Sequence, residues 1–301
     1  MPLLQRVKEN QMFSENKKWV YLITLSLIWG TSFILIKKAL IGLDPYHLGA
    51  LRTIITGLFL FIAGFKTLKA IKKSEWKWVA ISGFLGSFFP SFFFAIAETE
   101  IDSAVVSILN SLVPLNTILL GFAIFKIAST RRQVFGVIIG FIGTAILILK
   151  GAELNPEQNY LYAGYVIAST LMYAANVNII KRYLQDVRPL AIATGNYVAI
   201  ITPAVMVLLF TGFFSQSTFQ RPELTMSLVY VAILSFFGTA LAKVLFNTLV
   251  QISTPVFATS VTYLIPIVAL AWGILDGEGF SVLQAFASGI ILIGVYLSKK
   301  S

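Results

Sequence analysis

Ten stretches of nearly continuous apolar residues, separated by short polar connections, make up most of this chain. They fall at about 19–37, 46–65, 76–97, 103–125, 132–150, 159–180, 189–213, 226–250, 254–275 and 281–298. Each approaches the roughly 20 residues that an α-helix needs to cross a hydrocarbon core. The apolar positions do not alternate as those of a membrane β-strand would, over about ten residues. The pattern predicts an all-α integral membrane protein with ten transmembrane helices. The fifth and tenth runs are the shortest, which predicts helices at the periphery or with little tilt. Residues 1–18 are polar and mixed in sign, with Glu9 and Glu15 among the basic residues. They are expected to form a cytoplasmic tail rather than an acid-poor transit peptide. The first run has no small-residue cleavage site and ends in Lys37 and Lys38, so it is read as a retained span.

The pattern is also duplicated. Residues 27–38 (LIWGTSFILIKK) align without a gap with 171–182 (LMYAANVNIIKR), 144 positions later. Trp29 falls on Tyr173, Lys37 on Lys181 and Lys38 on Arg182, and the same offset sets Pro45 on Pro189. Residues 79–86 (VAISGFLG) align with 231–238 (VAILSFFG) at an offset of 152, which also sets Pro114 on Pro266 and Gly121 on Gly273. Gln133 and Gly143 match Gln284 and Gly294 at an offset of 151. Self-similarity of this kind predicts two copies of one unit, residues 19–150 and 159–298. Five spans per copy is an odd number, so the second copy must enter the membrane from the opposite face. Such inverted repeats are the architecture of many secondary transporters, with a site between the halves near the midplane.

Composition places the chain in lipid. Hydrophobic residues make up 57% of it and charged residues 12%, against roughly 25% charged in a soluble domain. The net charge of +10 does not point to nucleic acid, because the basic residues sit in short clusters between apolar runs, as in cytoplasmic loops. With the N-terminus in the cytoplasm, 17 of the 23 lysines and arginines lie inside. These are the N-terminal group and the clusters at 66–77, 126–132, 181–188 and 299–300; Lys37, Lys38, Lys150 and Arg221 lie outside. Glu98, Glu100, Asp102, Glu153, Glu157, Asp276 and Glu278 fall on the outer side. The bias therefore predicts a multi-pass membrane protein with both termini cytoplasmic. There is no cysteine, hence no disulfide and no thiolate metal site.

Candidate chemistry follows from polar residues inside the apolar runs. On span eight, Ser235, Thr239, Lys243 and Asn247 recur every four residues and share one face. A lysine two turns from the inner end costs a few kcal/mol unless it snorkels, pairs or faces water. Two readings stand: a stem reaching the headgroups, or a cavity cation that attracts an anionic group. The polar stripe favours the cavity. Span four carries Ser103, Ser107, Asn110, Pro114, Thr117 and Gly121 at spacings of three and four. Small residues also serve close helix packing, but the Asn110 amide needs several partners. Pro114 and Pro266, at matching positions, leave carbonyls unbonded, and paired interruptions point to a transport site. Span one adds Trp29 and Ser32, span six Tyr173, Asn176 and Asn178, and span nine Thr262 and Tyr263. The phenylalanines of span three read as lipid-facing or packing, with Phe88 and Phe92 as the alternative apolar wall. Arg52 and Glu98, near the outer ends of spans two and three, are read as a structural ion pair in preference to an outer gate. His47 reads as interfacial.

The absences narrow the classes. No G-x-x-x-x-G-K-[ST] occurs, so the chain is not itself an ATP-driven pump. With one histidine and no cysteine, no metal site, cofactor or catalytic nucleophile is expected. No carboxylate occupies the centre of a span, which favours facilitated diffusion or exchange, or coupling through Glu98 or through Lys243 as proton carrier.

The run LIWGTSFILIKKAL followed by DPYHLGALR resembles the opening of EamA-type permeases of the drug/metabolite transporter superfamily. There a Trp-Gly-Ser/Thr step ends the first helix, and a proline and a later arginine open the second: here Trp29, Gly30, Thr31, Pro45 and Arg52. SAVVSILNSLVPLNTILLG resembles the fourth helix of these proteins and TPVFATSVTYLIPIVALAWG its partner in the ninth. The resemblance covers about 19–298. It implies a bacterial-type inner-membrane permease that moves small metabolites, commonly exporting amino acids or related compounds. It also implies a cavity between the repeats, lined by spans one, three, four, six, eight and nine. Two departures imply an asymmetric cavity: ETEID follows span three, and Tyr173-Ala174 replaces Trp-Gly in the second copy. Substrate is expected to meet Trp29 and Ser32, Tyr173 and Asn176, Asn110, Thr239, Lys243 and Asn247, and Thr262 and Tyr263. The expected partners are a small-molecule substrate and the bilayer, with no nucleic acid and no obligate protein. One alternative is a carrier of phosphorylated metabolites or nucleotide-sugars with Lys243 as the anion contact. Another is a lipid-modifying membrane enzyme, against which the sparse polar inventory argues.

Overall fold

The structure, a computed structural model, describes residues 2–125, 130–154, 157–277 and 281–298. Side chains are described from Lys17 onward; Lys126, Glu278, Lys299 and Lys300 of the charge pattern lie outside the described residues, as do the side chains of Arg6, Lys8, Gln133, Lys150, Glu153 and Gln284. No strand occurs among the described residues. In chain order the long helical segments are α1 (Lys17–Ala39), α2 (Pro45–Ala70), α3 (Lys73–Ala97), α4 (Ser103–Ala123), α5 (Arg131–Leu154), α6 (Tyr160–Tyr183), α7 (Pro189–Phe210), α8 (Leu224–Ile252), α9 (Pro255–Leu275) and α10 (Val282–Ser298). Among the described residues, all of these except α5 and α10 are long and apolar enough to cross a membrane. Residues 2–16, expected as a polar tail, continue α1 as one helix from Pro2. No glycine or second proline interrupts that stretch, and its leucines, glutamines, lysines and glutamates are good helix formers.

Local chemistry explains where the helices begin. Pro45, Pro189 and Pro255 occupy the first turns of α2, α7 and α9, where a missing N–H costs nothing. The Thr254 hydroxyl accepts from the Phe257 amide at 3.2 Å, and the Glu75 carboxylate from the Lys72 amide at 2.8 Å, capping α9 and α3.

Four helices are irregular in related places. α3 widens into a π-turn over Phe84–Phe88 and α8 over Leu234–Leu241. α4 breaks at Ser111 and Leu112 and resumes at Val113–Ala123; α9 tightens over Ser260–Tyr263 and resumes at Ile265–Leu275. Shifted by the 152 positions of the sequence repeat, 84–88 falls inside the second widened turn, and 113–123 becomes 265–275. Packing is paired in the same way. α2 lies on α7 and α5 on α10, while α1 packs on α9 as α6 packs on α4.

The bundle ends are tied by basic residues of α1 and α6. Lys37 Nζ lies 3.0 Å from an Asp276 carboxylate oxygen, and Lys38 pairs with the other oxygen. At the opposite end of α9, Lys181 Nζ donates to the carbonyls of Ser253 at 2.8 Å and Gln251 at 3.2 Å, covering orphan acceptors at the α8 C-terminus.

Close helix contact in membranes uses small residues, and α10 meets α5 through Gly294. A Cβ added there would lie 2.6 Å from the Gly136 carbonyl. Gly294→Leu is expected to force α5 and α10 apart at a cost of about 1–3 kcal/mol, read as a lower thermal midpoint of the purified protein in detergent.

The hydrogen bond from Lys38, aided by Lys37, holds the Asp276 carboxyl below its ordinary 3.8. Its contribution to stability is therefore complete above that ordinary value and is lost as pH falls through the lower folded value. In melts recorded from about pH 6 to about pH 3, Asp276→Asn should flatten the acid limb of the stability curve.

Candidate functional site

Between the helices lies a cavity with about 1030 Å³ of non-atom space, open solvent at its mouth included. All eight membrane-length segments contribute to its wall, and among the described residues α5 and α10 do not. α2 and α7 join the six helices that the family resemblance implied, through Arg52, Thr53 and Tyr197.

The polar stripe of α8 supplies one side. Thr239, Lys243 and Asn247 line the cavity, whereas Ser235 is fully buried and donates to the Arg52 carbonyl at 3.3 Å. In the widened turn the Thr239 hydroxyl donates five residues back, to the Leu234 carbonyl at 3.1 Å, and accepts from Arg52 Nε at 2.9 Å. Lys243 is only 7% exposed, and its ammonium donates to Ser87 Oγ at 2.7 Å and to the Gly86 carbonyl at 3.4 Å. The headgroup alternative therefore fails, since the stem turns across the bundle onto α3 rather than along α8.

The widened turns supply the other acceptors. A π-turn replaces the regular i→i+4 ladder by i→i+5 bonds, and carbonyls within both turns also accept from side chains. Gly86 O takes Lys243, while Gly238 O accepts from Trp29 Nε1 at 3.0 Å. These two glycines are partners in the sequence repeat. Each is pressed by one member of a second related pair. A Cβ on Gly238 would lie 2.7 Å from Ser32 Oγ, and one on Gly86 2.5 Å from Asn176 Nδ2. Asn176 Oδ1 accepts from Ser82 at 2.6 Å.

Aromatic rings close the apolar walls. Trp29 meets Phe246 edge-on at 5.0 Å between centroids, and Tyr173 stacks on Phe94 at 6.0 Å. Phe88 and Phe92 are buried outside the lining, in keeping with the packing reading of span three, and Phe33, Phe94 and Phe246 line the cavity instead. Asn110 and Asn247 line the cavity with buried Oδ1 atoms that no described protein group satisfies, although Asn247 Nδ2 donates to the Pro189 carbonyl at 3.3 Å.

The breaks of α4 and α9 meet beside the cavity. The Thr262 carbonyl accepts from Ser111 Oγ at 3.0 Å, and the Thr262 hydroxyl donates to the Thr259 carbonyl at 2.9 Å. Pro114 and Pro266 stand in the first turns of the resumed helices, outside the lining. They set the breaks, and Asn110, Val113 and Thr262 reach the cavity from them. Tyr263 also lies outside the lining, packed near Leu112 and Leu115.

The ion pair expected between Arg52 and Glu98 is not what the structure brings together. Arg52, two turns into α2, turns toward Thr239 and the cavity. Glu98, 8% exposed, lines a separate pocket with Lys37, Glu100, Asp102 and Glu157. His47, expected at the interface, is buried, with Nε2 donating to the Thr211 carbonyl at 3.1 Å. Gly86, Ser87 and Gly238 join the site without having been expected there. The signal available for the glycines is their alignment at the ends of the repeated octapeptides.

Trp29→Phe keeps the contact with Phe246 and removes the donor to Gly238. It is expected to cost about 1 kcal/mol, seen as a lower thermal midpoint without loss of helical circular dichroism.

Similarity to known proteins extends along nearly the whole chain. The sequence profile of the EamA-like transporter family matches residues 17–149 and again 161–299. An uncharacterized transporter of Archaeoglobus fulgidus is 26% identical over 283 residues, covering 93% of this chain and 98% of that protein. Protein PecM of Dickeya dadantii is 26% identical over 284 residues, covering 89% and 85%. The uncharacterized inner membrane transporter YedA of Escherichia coli K12 is 24% identical over 284 residues, covering 92% and 88%. A solved crystal structure superposes with a TM-score of 0.66 at 18% identity, covering 94% of this chain and 96% of that one. That likeness is one of fold.

Proposed function

The chain belongs to the EamA-like transporter family, and from that membership and the buried cavity we propose that it is a secondary transporter. It exports small metabolites, such as amino acids or related compounds, across the inner cell membrane. The observation that carries this reading is the double contact Ser32–Gly238 and Asn176–Gly86, in which repeat-related residues face one polar cavity from both sides. A site built equally from two related halves can open to either face when one half rocks against the other. The broken helices α4 and α9, joined by Ser111 and Thr262, provide the flexing elements. The relatives are named as transporters, which points away from an enzyme.

In this reading α5 and α10 also cross the membrane, so that ten spans form two five-helix repeats, about 19–150 and 159–298. Their inversion is supported by the ties of Lys37 and Lys181, repeat partners that sit at opposite ends of α9. The Lys/Arg bias puts both termini in the cytoplasm. A carrier of phosphorylated metabolites is the second reading, favoured by the Lys243 ammonium at the cavity wall.

Cells overproducing the wild type are expected to lower the internal pool of some small metabolite or to gain resistance to a toxic analogue. Lys243→Ala should reverse that change at equal protein level. An uptake and efflux screen in which neither protein alters any pool or any resistance overturns the transporter reading.

A further inference from the structure

The cavity wall is unbalanced in charge. Its lining includes two cations, Arg52 and Lys243, and no aspartate or glutamate among the described residues. Their partners are neutral: Thr239 for Arg52, and Ser87 and Gly86 for Lys243. A buried charge needs a counter-charge or water to be tolerated, and no carboxylate among the described residues supplies one to this cavity. The two cations are also neighbours, because Arg52 donates to Thr239, which stands one turn before Lys243 on the same face of α8.

We infer that the cavity selects an organic anion, a metabolite whose carboxylate or phosphate sits between Arg52 and Lys243 while its apolar body lies against Trp29, Phe94 and Phe246. The inference rests on the transporter reading and, within it, replaces free amino acids by related compounds that lack the ammonium. Only the Nε–H of the Arg52 guanidinium is engaged by described protein groups, so its remaining N–H groups offer the planar fork that fits a carboxylate or phosphate with two parallel bonds. A free amino acid is disfavoured, since its ammonium would meet two like charges and no carboxylate. The same compound without the ammonium, as a keto acid, hydroxy acid or N-acyl derivative, meets no such conflict. Arg52 belongs to the first repeat and Lys243 to the second, so an anion held by both couples the two halves. Binding energy spent on that bridge is available to favour one arrangement of the halves over the other.

Four compounds with one aromatic body test the assignment: phenylpropionate, phenyl phosphate, phenylalanine and phenethylamine, each titrated against the detergent-purified full chain. At least one of the two anions is expected to raise the thermal midpoint in a saturable manner, and the better of them identifies carboxylate or phosphate as the headgroup. Phenylalanine and phenethylamine should leave the midpoint unchanged. Arg52→Gln and Lys243→Gln should each weaken the anion about tenfold, the loss expected for one charge-assisted hydrogen bond. Lys243→Arg, which keeps the charge, should retain most of the affinity, and this separates lost charge from a damaged fold. A shift with phenylalanine or phenethylamine equal to that of the anions overturns the inference, as does no shift with either anion or an anion response untouched by both glutamine variants. The transporter reading falls separately, if no solute in a broad panel crosses proteoliposomes carrying the wild type.

Discussion

A polar group removed from water must find its partner inside the protein, and in this chain that constraint centres on the widened turns of α3 and α8. The carbonyls of Gly86 and Gly238, inside the π-turns, accept from Lys243 and Trp29. The Gly238 carbonyl satisfies the indole N–H, and the Gly86 carbonyl adds to the bond that the Lys243 ammonium makes to Ser87 Oγ. The glycines have a second part in the arrangement, because their missing side chains admit Asn176 and Ser32 at close range. The widened turns thus carry both the backbone acceptors and the close polar approaches at the wall of the cavity.

Repetition accounts for the frame and divergence for the chemistry. The helix breaks of α4 and α9 and the widened turns of α3 and α8 coincide when one stretch is shifted onto the other. The residues filling these places differ. Trp29 is matched by Tyr173 and Ser32 by Asn176, while Lys243 falls on Ser91 of α3. Related backbones therefore enclose a cavity whose positive groups are few and specifically placed, with Arg52 from one half and Lys243 from the other.

Residues whose burial follows helix periodicity are legible in the sequence. Thr239, Lys243 and Asn247 of the α8 stripe, the mid-span Trp29 and the amide of Asn110 all reach the cavity, because residues one turn apart share a helix face. Residues whose direction depends on a neighbour's local geometry are not legible in that way. By its depth in the membrane Arg52 reads as a partner for Glu98, yet the Thr239 hydroxyl in the widened turn draws it inward. Tyr263 shares its segment with Thr262, but the tightened turn over Ser260–Tyr263 aims it away. Phe94, read with its neighbours as lipid-facing or packing, lines the cavity beyond a π-turn, where regular spacing no longer foretells the exposed face.

By itself the sequence determined a helical membrane protein, a duplicated unit and the matching places where its helices break. Those properties follow from hydropathy, from internal alignment and from proline, all of which act locally. Only the tertiary structure decided that Lys243 turns onto Ser87 rather than to the headgroups, and that Arg52 joins it at a cavity free of acidic side chains among the described residues. The reason is geometric: π-turns insert an extra residue per turn and rotate the helix face, and no periodicity in the sequence announces that rotation.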